Sequence, residues 1–238
     1  MKLDILAFAA HPDDVELSCS GTLIKHIKLG YKVGICDLTR GELGTRGSAE
    51  LRKIEATNAS KIIGNVVREN LGFADGFFSN DKEHQLKIIE VIRKYQPEIV
   101  ICNAISDRHP DHSRGSKVVS EACFYAGLTK IETNNNGVKQ NAWRPKNIYH
   151  YIQFRYIEPD FVVDISDELE QKIESVKAYS SQFYQPGSNE PETAISSKQF
   201  FDSISERASE FGKTIGVKSA EGFTKERYLG VNNLFDLK

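Results

Sequence analysis

Residues 3–14 read LDILAFAAHPDD, and this stretch contains the pattern that decides the fold. The apolar run over residues 3–10 is typical of a strand that is buried on both faces of a parallel sheet. It ends at a His-Pro-Asp-Asp turn, residues 11–14, after which apolar residues recur at helical spacing over residues 15–29. We therefore predict that this stretch forms a strand, a polar turn and the start of a helix.

The alternation of strand and helix patterns continues through residue 127. Apolar runs predict strands at residues 32–38, 66–71 and 98–103, and helical spacing predicts helices at residues 49–63, 82–95 and 110–127. Further strands are predicted at residues 147–154 and 161–164, and further helices at residues 167–183 and 198–216. This order is typical of right-handed βαβ units. We predict one α/β domain over residues 1–238, with a Rossmann-like, mostly parallel sheet and helices on both faces.

Two polar segments are predicted to be loops. Residues 131–144 contain three consecutive asparagines, and residues 185–197 read QPGSNEPETAISS. Long loops of this kind often cover a binding site or contact another subunit, although many are plain surface loops. The sequence leaves the choice between these roles open.

The composition limits the classes of function. With 39% hydrophobic and 27% charged residues among 238, the chain is typical of a soluble globular protein. A formal net charge of -2 gives no global basic field, so we expect no nucleic-acid partner. No apolar stretch reaches the length of a signal core or a membrane span, so we expect no membrane partner. The four cysteines form no CxxC pair, which favours structural thiols and a cytoplasmic location.

Three of the six histidines lie in two related tetrapeptides, HPDD at residues 11–14 and HPDH at residues 109–112. Each follows a predicted buried strand. Because ligands of an open parallel sheet bind outside the carboxyl ends of its strands, we expect both tetrapeptides at the same edge. His26, His84 and His150 belong to no such pattern; we assign them no role and expect the first two to be exposed.

Imidazoles and a carboxylate form a good site for a first-row divalent metal, Zn²⁺ or also Fe²⁺. Three protein ligands with one open position define a catalytic site, and one carboxylate and one imidazole would remain for proton transfer. A single His-Pro-Asp motif is as well explained by a helix cap, with proline in the first turn. Two such motifs after buried strands favour the metal site, but spacing alone does not decide which carboxylate is a ligand.

The two tetrapeptides resemble the metal motifs of the PIG-L/LmbE-like family of zinc-dependent N-acetylglucosaminyl deacetylases. CDLTRGELGTRGSAELRKIEA (residues 36–56) is similar to the family's second strand, glycine loop and following helix, and DRHPDHSRGSKVV (residues 107–119) to its second metal segment. AYSSQF (residues 178–183) and FGKTIGVKSAEGF (residues 211–223) resemble the C-terminal part of the bacillithiol-biosynthesis deacetylase branch. The resemblance covers nearly the whole chain.

The resemblance implies roles for the residues of both tetrapeptides. The implied metal ligands are His11, Asp14 and His112. Asp13 would be the general base that deprotonates the metal-bound water. His109 would be protonated, would stabilise the oxyanion and would pass a proton to the departing amine. Asp111 would orient His109 and hold it charged. The implied reaction is zinc-dependent removal of an N-acetyl group by a metal-activated water.

The same branch implies N-acetylglucosaminyl-malate as the substrate and a homo-oligomer, for instance a hexamer, as the assembly. A malate dicarboxylate requires cations, and Arg52 and Arg108 are the best candidates, with Arg46 weaker. Glu42 is a candidate partner of sugar hydroxyls, and Tyr184 a candidate pocket aromatic. Each of these side chains is also explained by a surface ion pair, by solvation or by packing.

Three other interpretations stay open. A metal-dependent phosphoesterase would use similar ligands, although no second set of bridging carboxylates is evident. A non-catalytic metal-binding module would not need Asp13 and His109 beside the ligands. A deacetylase of the same family could act on another N-acetyl sugar conjugate, such as an inositol or chitin-derived compound. No GxGxxG or GxSxG motif supports a dinucleotide site or a serine nucleophile.

Overall fold

The computed structural model describes residues 1–237, and Lys238 of the predicted domain lies outside them. Strands and helices alternate in the first half of the chain. They are β1 (Ile5–Ala9), α1 (Asp14–Lys28), β2 (Val33–Thr39), α2 (Ala49–Ile63), β3 (Val67–Phe73), α3 (Lys82–Tyr95), β4 (Ile99–Cys102) and α4 (Pro110–Ala126). The second half adds β5 (Asn134–Asn135), β6 (Val138–Lys139), β7 (Asn147–Tyr151), β8 (Phe161–Asp164), α5 (Leu169–Lys177), α6 (Lys198–Thr214), β9 (Ala220–Lys225) and a 3-10 turn at Leu234–Asp236.

Seven strands form one sheet in the order β3-β2-β1-β4-β7-β9-β8. The strands from β3 to β7 pair in parallel, and Ile5 of β1 lies opposite both Val33 of β2 and Ile99 of β4. Strand β9 pairs antiparallel with β7 and with β8. The predicted α/β fold with a mostly parallel sheet is therefore confirmed.

Strand β1 shows why its sequence is apolar at every position. All five of its residues are buried. Leu6 and Phe8 pack with α3 and α4 on one face, whereas Ile5, Ala7 and Ala9 pack with α1 on the other. Because successive side chains of a strand point to opposite faces, a central strand covered by helices on both sides must be apolar throughout.

Strand β9 was not predicted. Its sequence, AEGFTK, alternates charged and small residues and resembles a loop, yet five of its six residues are buried. The strand lies between β7 and β8 in the sheet, so its pairing depends on segments far away in sequence. Local patterns carry no information about such neighbours, which is why tertiary context overrides weak strand propensity here.

Two predicted segments differ clearly from the structure. The predicted helix over residues 167–183 spans only Leu169–Lys177, and beyond it the Glu55 carboxylate accepts hydrogen bonds from Ser181 N (2.8 Å) and Ser181 Oγ (2.7 Å). The predicted loop at residues 131–144 contains the β5–β6 hairpin. Asn136 and Gly137 both have positive φ (51° and 81°), as the favoured two-residue hairpin turn requires.

All four cysteines are free and buried, as expected for structural thiols. Burial raises the pKa of the Cys19, Cys36 and Cys123 thiols well above their ordinary value. Because the thiolate is the reactive form, these three side chains are chemically inert. Within residues 1–237, no helix combines the length and the apolar character needed to cross a bilayer.

Candidate active site

The two His-Pro-Asp tetrapeptides meet at the carboxyl edge of the sheet. The first forms the turn between β1 and α1, and the second starts α4 just after β4, the direct neighbour of β1. The ring centroids of His11 and His109 are 4.6 Å apart, those of His109 and His112 5.2 Å, and those of His11 and His112 5.5 Å. The structure thus brings together the residues of both motifs. This was expected, because the carboxyl ends of parallel strands meet at one edge of the sheet (below, the strand-end rule).

Both oxygens of Asp14 are held by directed hydrogen bonds. Oδ2 accepts from His11 N (2.9 Å) and Asn103 Nδ2 (3.0 Å), and Oδ1 accepts from Gln153 Nε2 (3.0 Å). His112 Nε2 lies 3.1 Å from Oδ1. Burial disfavours the carboxylate, but His112 and His11 outweigh it and hold the pKa of Asp14 well below its ordinary value. The Asp14 carboxylate is therefore ionised and held in a fixed position, so its oxygens are suited to bind a metal ion.

His112 is oriented by a carboxylate that was not predicted from the sequence. Its Nδ1 lies 2.5 Å from Asp107 Oδ2, which leaves Nε2 directed at Asp14. Burial opposes protonation, but Asp14 and Asp107 raise the pKa of His112 to about 9. A carboxylate behind an imidazole is the usual support of a metal-binding histidine. The sequence could have indicated this role, because Asp107 is the first residue of the segment 107–119 and lies only five residues before His112.

His11 faces three carboxylates. Its Nε2 lies 3.0 Å from Asp75 Oδ1 and 3.4 Å from Asp111 Oδ2, and its Nδ1 lies 3.6 Å from Asp14 Oδ2. Although burial opposes it, these neighbours raise the pKa of His11 well above its ordinary value. Asp75 was not predicted either. It follows the carboxyl end of β3, where the strand-end rule would have placed it.

These side chains fit a divalent cation. One nitrogen from each of His11, His109 and His112 lies within 4.8 Å of the other two, and His11, Asp75 and Asp111 form a second such group. Asp14 joins the first group through His11 and His112. Imidazole nitrogens with a fixed carboxylate and a supporting outer carboxylate suit zinc and related first-row metals.

Asp13 occupies a strained turn. Its φ is 122°, a left-handed value that is costly for a residue with a side chain and that persists mainly at functional sites. Arg52 Nη1 secures the turn by donating to Pro12 O (3.0 Å) and to Asp13 Oδ2 (3.1 Å). Burial raises the pKa of Asp13 to about 7, against the opposing effect of Arg52. A carboxylate with this pKa is suited to act as a general base near neutral pH.

His109 and Asp111 differ from their expected relationship. His109 Nδ1 accepts a hydrogen bond from the backbone N–H of Asp111 (3.2 Å), so a neutral ring carries its proton on Nε2. Burial, together with His11 and His112, lowers the pKa of His109, which favours the neutral ring over the expected imidazolium. The Asp111 carboxylate accepts from Gly76 N (2.7 Å) and pairs with Arg114, rather than with the His109 ring.

The site opens into a cavity of about 470 Å³. Arg52 and Arg108, two of the predicted substrate-binding residues, line it, and the Arg108 guanidinium lies 5.0 Å from the centre of the Phe154 ring. Glu42 instead accepts hydrogen bonds from Asp75 N and Arg40 N, and Tyr184 is not among the lining residues.

The cavity also distinguishes the two predicted loops. Residues 192–195 of the second loop line the cavity, whereas the residues of the first loop do not. Arg46, the weakest predicted substrate cation, donates to Ser188 Oγ (2.9 Å) within that second loop. The second loop is therefore part of the site wall.

The three histidines without a predicted role lie elsewhere. His26 and His84 are half-buried rather than exposed. His150 is buried, with Nδ1 2.9 Å from Ser116 Oγ and Nε2 3.0 Å from Glu226 Oε1. It is thus a structural residue that supports β7 and α4 from behind the site.

A parallel sheet that carries imidazoles and carboxylates at its carboxyl edge defines an α/β enzyme with a candidate metal centre. Residues 6–123 match the family described as PIG-L, GlcNAc-PI de-N-acetylase. The chain is 31% identical over 191 residues to the diacetylchitobiose deacetylase of Thermococcus kodakarensis, covering 75% of this chain and 70% of that protein. The chain belongs to the PIG-L deacetylase family and is an enzyme that hydrolyses amide bonds.

A solved structure has a similar fold, and a further sequence relative carries a different name. The conserved protein TT1542 from Thermus thermophilus is 35% identical, with a TM-score of 0.85 over 97% of this chain and 98% of that one. Another relative, the 4-oxalmesaconate hydratase of Pseudomonas putida, is 24% identical over 192 residues, which cover 74% of this chain and 73% of that protein. This relative is named for a reaction other than deacetylation.

Proposed function

We propose that this protein is a zinc-dependent deacetylase that removes the N-acetyl group from N-acetylglucosaminyl-malate, the substrate of the bacillithiol branch. One observation carries the proposal: the Asp13 carboxylate, held by Arg52, lines the same cavity as the metal-suited cluster of His11, Asp14 and His112. A base next to a cation site is what hydrolysis of an unactivated amide needs. The alternative substrate is another N-acetyl sugar conjugate.

His11, Asp14 and His112 would hold the metal ion. When bound, a divalent metal lowers the pKa of a coordinated water and polarises the acetyl carbonyl. Asp13 accepts the proton of the attacking water, while Arg52 keeps its carboxylate in place. The Nε2–H of the neutral His109 ring hydrogen-bonds to the developing oxyanion, and the proton that Asp13 takes from the water passes on to the departing nitrogen. Acetate and a free amine leave.

Arg108 supports the malate conjugate as the substrate. Its guanidinium is exposed, lines the cavity beside His109, and rests on the Phe154 ring. A guanidinium held in this way can bind a carboxylate through two parallel hydrogen bonds. Arg52 is less available, because it is already paired with Asp13.

The test is amine release by the zinc-reconstituted protein from N-acetylglucosaminyl-malate, N-acetylglucosamine and diacetylchitobiose. We expect turnover of the malate conjugate and at least about a tenfold lower kcat/KM for N-acetylglucosamine. Asp13→Asn is the inactive control, and hydration of 4-oxalmesaconate is the control reaction. A preference for diacetylchitobiose would make that compound, and not the malate conjugate, the substrate. Hydration of 4-oxalmesaconate without any amine release would refute the deacetylase function.

We also propose that the protein forms homo-oligomers. Large apolar side chains are exposed beside the site, including Leu43 (62%) and Phe77 (78%), and on the C-terminal segment, including Leu234 (81%) and Phe235 (97%). Exposed apolar groups of this size commonly mark contacts between protein subunits. Size-exclusion chromatography with light scattering tests the proposal, and a purely monomeric mass at micromolar concentration would contradict it.

A further inference from the structure

The metal-suited cluster lies between two ends of the cavity that differ in chemistry. On one side, His11 contacts Asp75, whose Oδ2 accepts from Leu43 N (2.9 Å). Leu43 lies in the glycine loop, residues 40–48 between β2 and α2. On the other side, Asp14 contacts Gln153, the neighbour of Ile152. The first end is lined by backbone and polar groups of the glycine loop, by Arg52 and by Asp75. This polar end suits the hydroxyl groups of a sugar.

The second end is an apolar lobe. We define it by six lining residues, which are Leu17, Ile152, Ile204, Ala208, Phe211 and Ala220. They come from α1, the end of β7, α6 and β9. All are hydrophobic, and apart from half-buried Leu17 they are buried core residues. The lobe is therefore a permanent part of the packed interior rather than an open surface groove.

Small residues form part of the lobe wall. Ala208 and Ala220 present only methyl groups, and Gly222 of β9 also lines the cavity. A Cβ atom added at Gly222 would lie 3.0 Å from Ile152 Cδ1 and from the Phe211 ring, which is closer than ordinary packing allows. The wall of the lobe at Gly222 is thus close-packed.

The polar groups that border the lobe are already engaged within the protein. Lys172 Nζ donates to Glu221 Oε1 (2.6 Å) and to Leu17 O (2.7 Å). Arg207 donates to the carbonyl oxygens of Gln153 and Phe154. Since these charges are neutralised or satisfied locally, the lobe offers its ligand mainly apolar contact.

The chemistry of the scissile amide decides which group faces the lobe. The carbonyl carbon carries two substituents, the nitrogen with its sugar and the acyl chain. If the sugar occupies the polar end, the acyl chain extends from the metal cluster toward Gln153 and Ile152. We propose, resting on the proposed function, that the apolar lobe binds the acyl chain and that the enzyme hydrolyses N-acyl sugars with chains longer than acetyl.

The reaction balances as for acetyl. Water adds its oxygen to the acyl carbon, the C–N bond breaks, and the nitrogen takes up a proton, giving a medium-chain carboxylate and a free amino sugar. No oxidant or further reactant is required. A single acetyl methyl group would contact little of the lobe, whereas a chain of four to six carbons reaches buried apolar walls.

The experiment compares kcat/KM of the zinc-reconstituted protein for N-acetyl-, N-butyryl- and N-hexanoylglucosamine. Burial of a methylene favours binding by about fourfold at most, so we expect kcat/KM to rise with chain length, by roughly two- to fourfold per methylene. Ala208→Phe, which fills the lobe, should lower the hexanoyl-to-acetyl ratio by at least about tenfold. Ile204→Ala, which enlarges it, should raise that ratio.

Glu206→Phe is the matched control, because it adds the same ring to an exposed position of α6. Its hexanoyl-to-acetyl ratio should equal that of the unmodified protein. Efficient hydrolysis of the acetyl compound with no turnover of the hexanoyl compound would overturn the inference while leaving the deacetylase function intact. An Ala208→Phe ratio equal to that of Glu206→Phe would also overturn it.

If the unmodified protein hydrolysed none of the three compounds, the proposed function would fail. The lobe is then tested separately by measuring how tightly the same compounds bind. Titration calorimetry of the same three compounds with metal-loaded Asp13→Asn protein gives affinities without hydrolysis. Affinity that rises with chain length supports the lobe. Affinity that does not change with chain length refutes it.

Discussion

Lys172 and Glu221 form a buried ion pair that hydrogen-bonds to the backbone of α1. Here Lys172 Nζ donates to Leu17 O, while Gly21 N and Thr22 N donate to the Glu221 carboxylate (3.1 and 2.7 Å). The pair therefore links α5 and β9 to the helix that begins at Asp14.

This pair is expected to be essential for stability. The Lys172 and Glu221 side chains are only 2% and 3% exposed, so removal of one partner leaves an uncompensated buried charge. Lys172→Met should lower the free energy of unfolding by about 3–5 kcal/mol. Urea denaturation of the metal-loaded protein measures the change. The double variant Lys172→Met/Glu221→Gln should lose less than the sum of the single variants.

The exposed pair of Lys177 and Glu174 on the same helix is the matched control. Its atoms are 2.8 Å apart, but the side chains are 50% and 58% exposed. Lys177→Met should therefore cost at most about 1 kcal/mol. Equal losses for Lys172→Met and Lys177→Met would show that burial does not govern the strength of these pairs.

Asp107→Asn should weaken zinc binding by roughly 10- to 100-fold, because Asp107 fixes the orientation of His112 through Nδ1. The amide can still accept the hydrogen bond that Arg155 N gives to Oδ1, so the loop should keep its path. Competition with a chelator measures the affinity. Asp202→Asn, at an exposed position of α6, provides the control. An unchanged zinc affinity in Asp107→Asn would show that Asp107 does not support zinc binding.

Asp13→Asn should lower kcat for amine release by about 10²–10⁴-fold, the usual contribution of a general base. The bound zinc should stay at one ion per chain, measured by atomic absorption. This variant also decides between the two neighbouring carboxylates. If Asp13→Asn lost the metal while Asp14→Asn retained it, their proposed roles would be exchanged.

His150 should make stability depend on pH. Burial disfavours its imidazolium, but Cys102 and Glu226 outweigh it and raise the pKa of His150. A raised folded-state pKa stabilises fully below the unfolded value of about 6.5, and this contribution is lost as the pH rises above it. The unfolding free energy should therefore fall as the pH is raised from about 6.5 to about 9. His150→Gln should show a shallower fall in urea titrations, and identical slopes would contradict the prediction.

The sequence predicted the elements whose patterns are local. Strand β1, helix α1 and the helices up to α4 lie within a few residues of their predicted bounds, because apolar periodicity and turn residues mark them. The meeting of His11 with His109 was also predictable, since both follow buried strands of one parallel sheet. Family resemblance then distinguished Asp13 from Asp14, which spacing alone left undecided.

Features that depend on distant partners were not predictable. Glu221 and Lys172 look like surface residues in sequence, yet each is buried because of the other. Asp75 precedes a glycine and resembles an ordinary turn, and only its contact with His11 reveals its place in the site. Arg52, a predicted cation for the substrate, lines the cavity, but the sequence did not reveal that it pairs with Asp13 of the strained turn.

The position of β9 has a consequence for the order of folding. Strand β8 is separated from β7 by β9, which follows it in the chain by more than fifty residues. During synthesis, β8 has no neighbour to pair with until β9 has been made. The Glu221 carboxylate, which accepts hydrogen bonds from Gly21 N and Thr22 N of α1, arrives with the same strand. A growing chain should therefore acquire helix α1 in its final form only late, and long-range pairing of this kind makes folding slow.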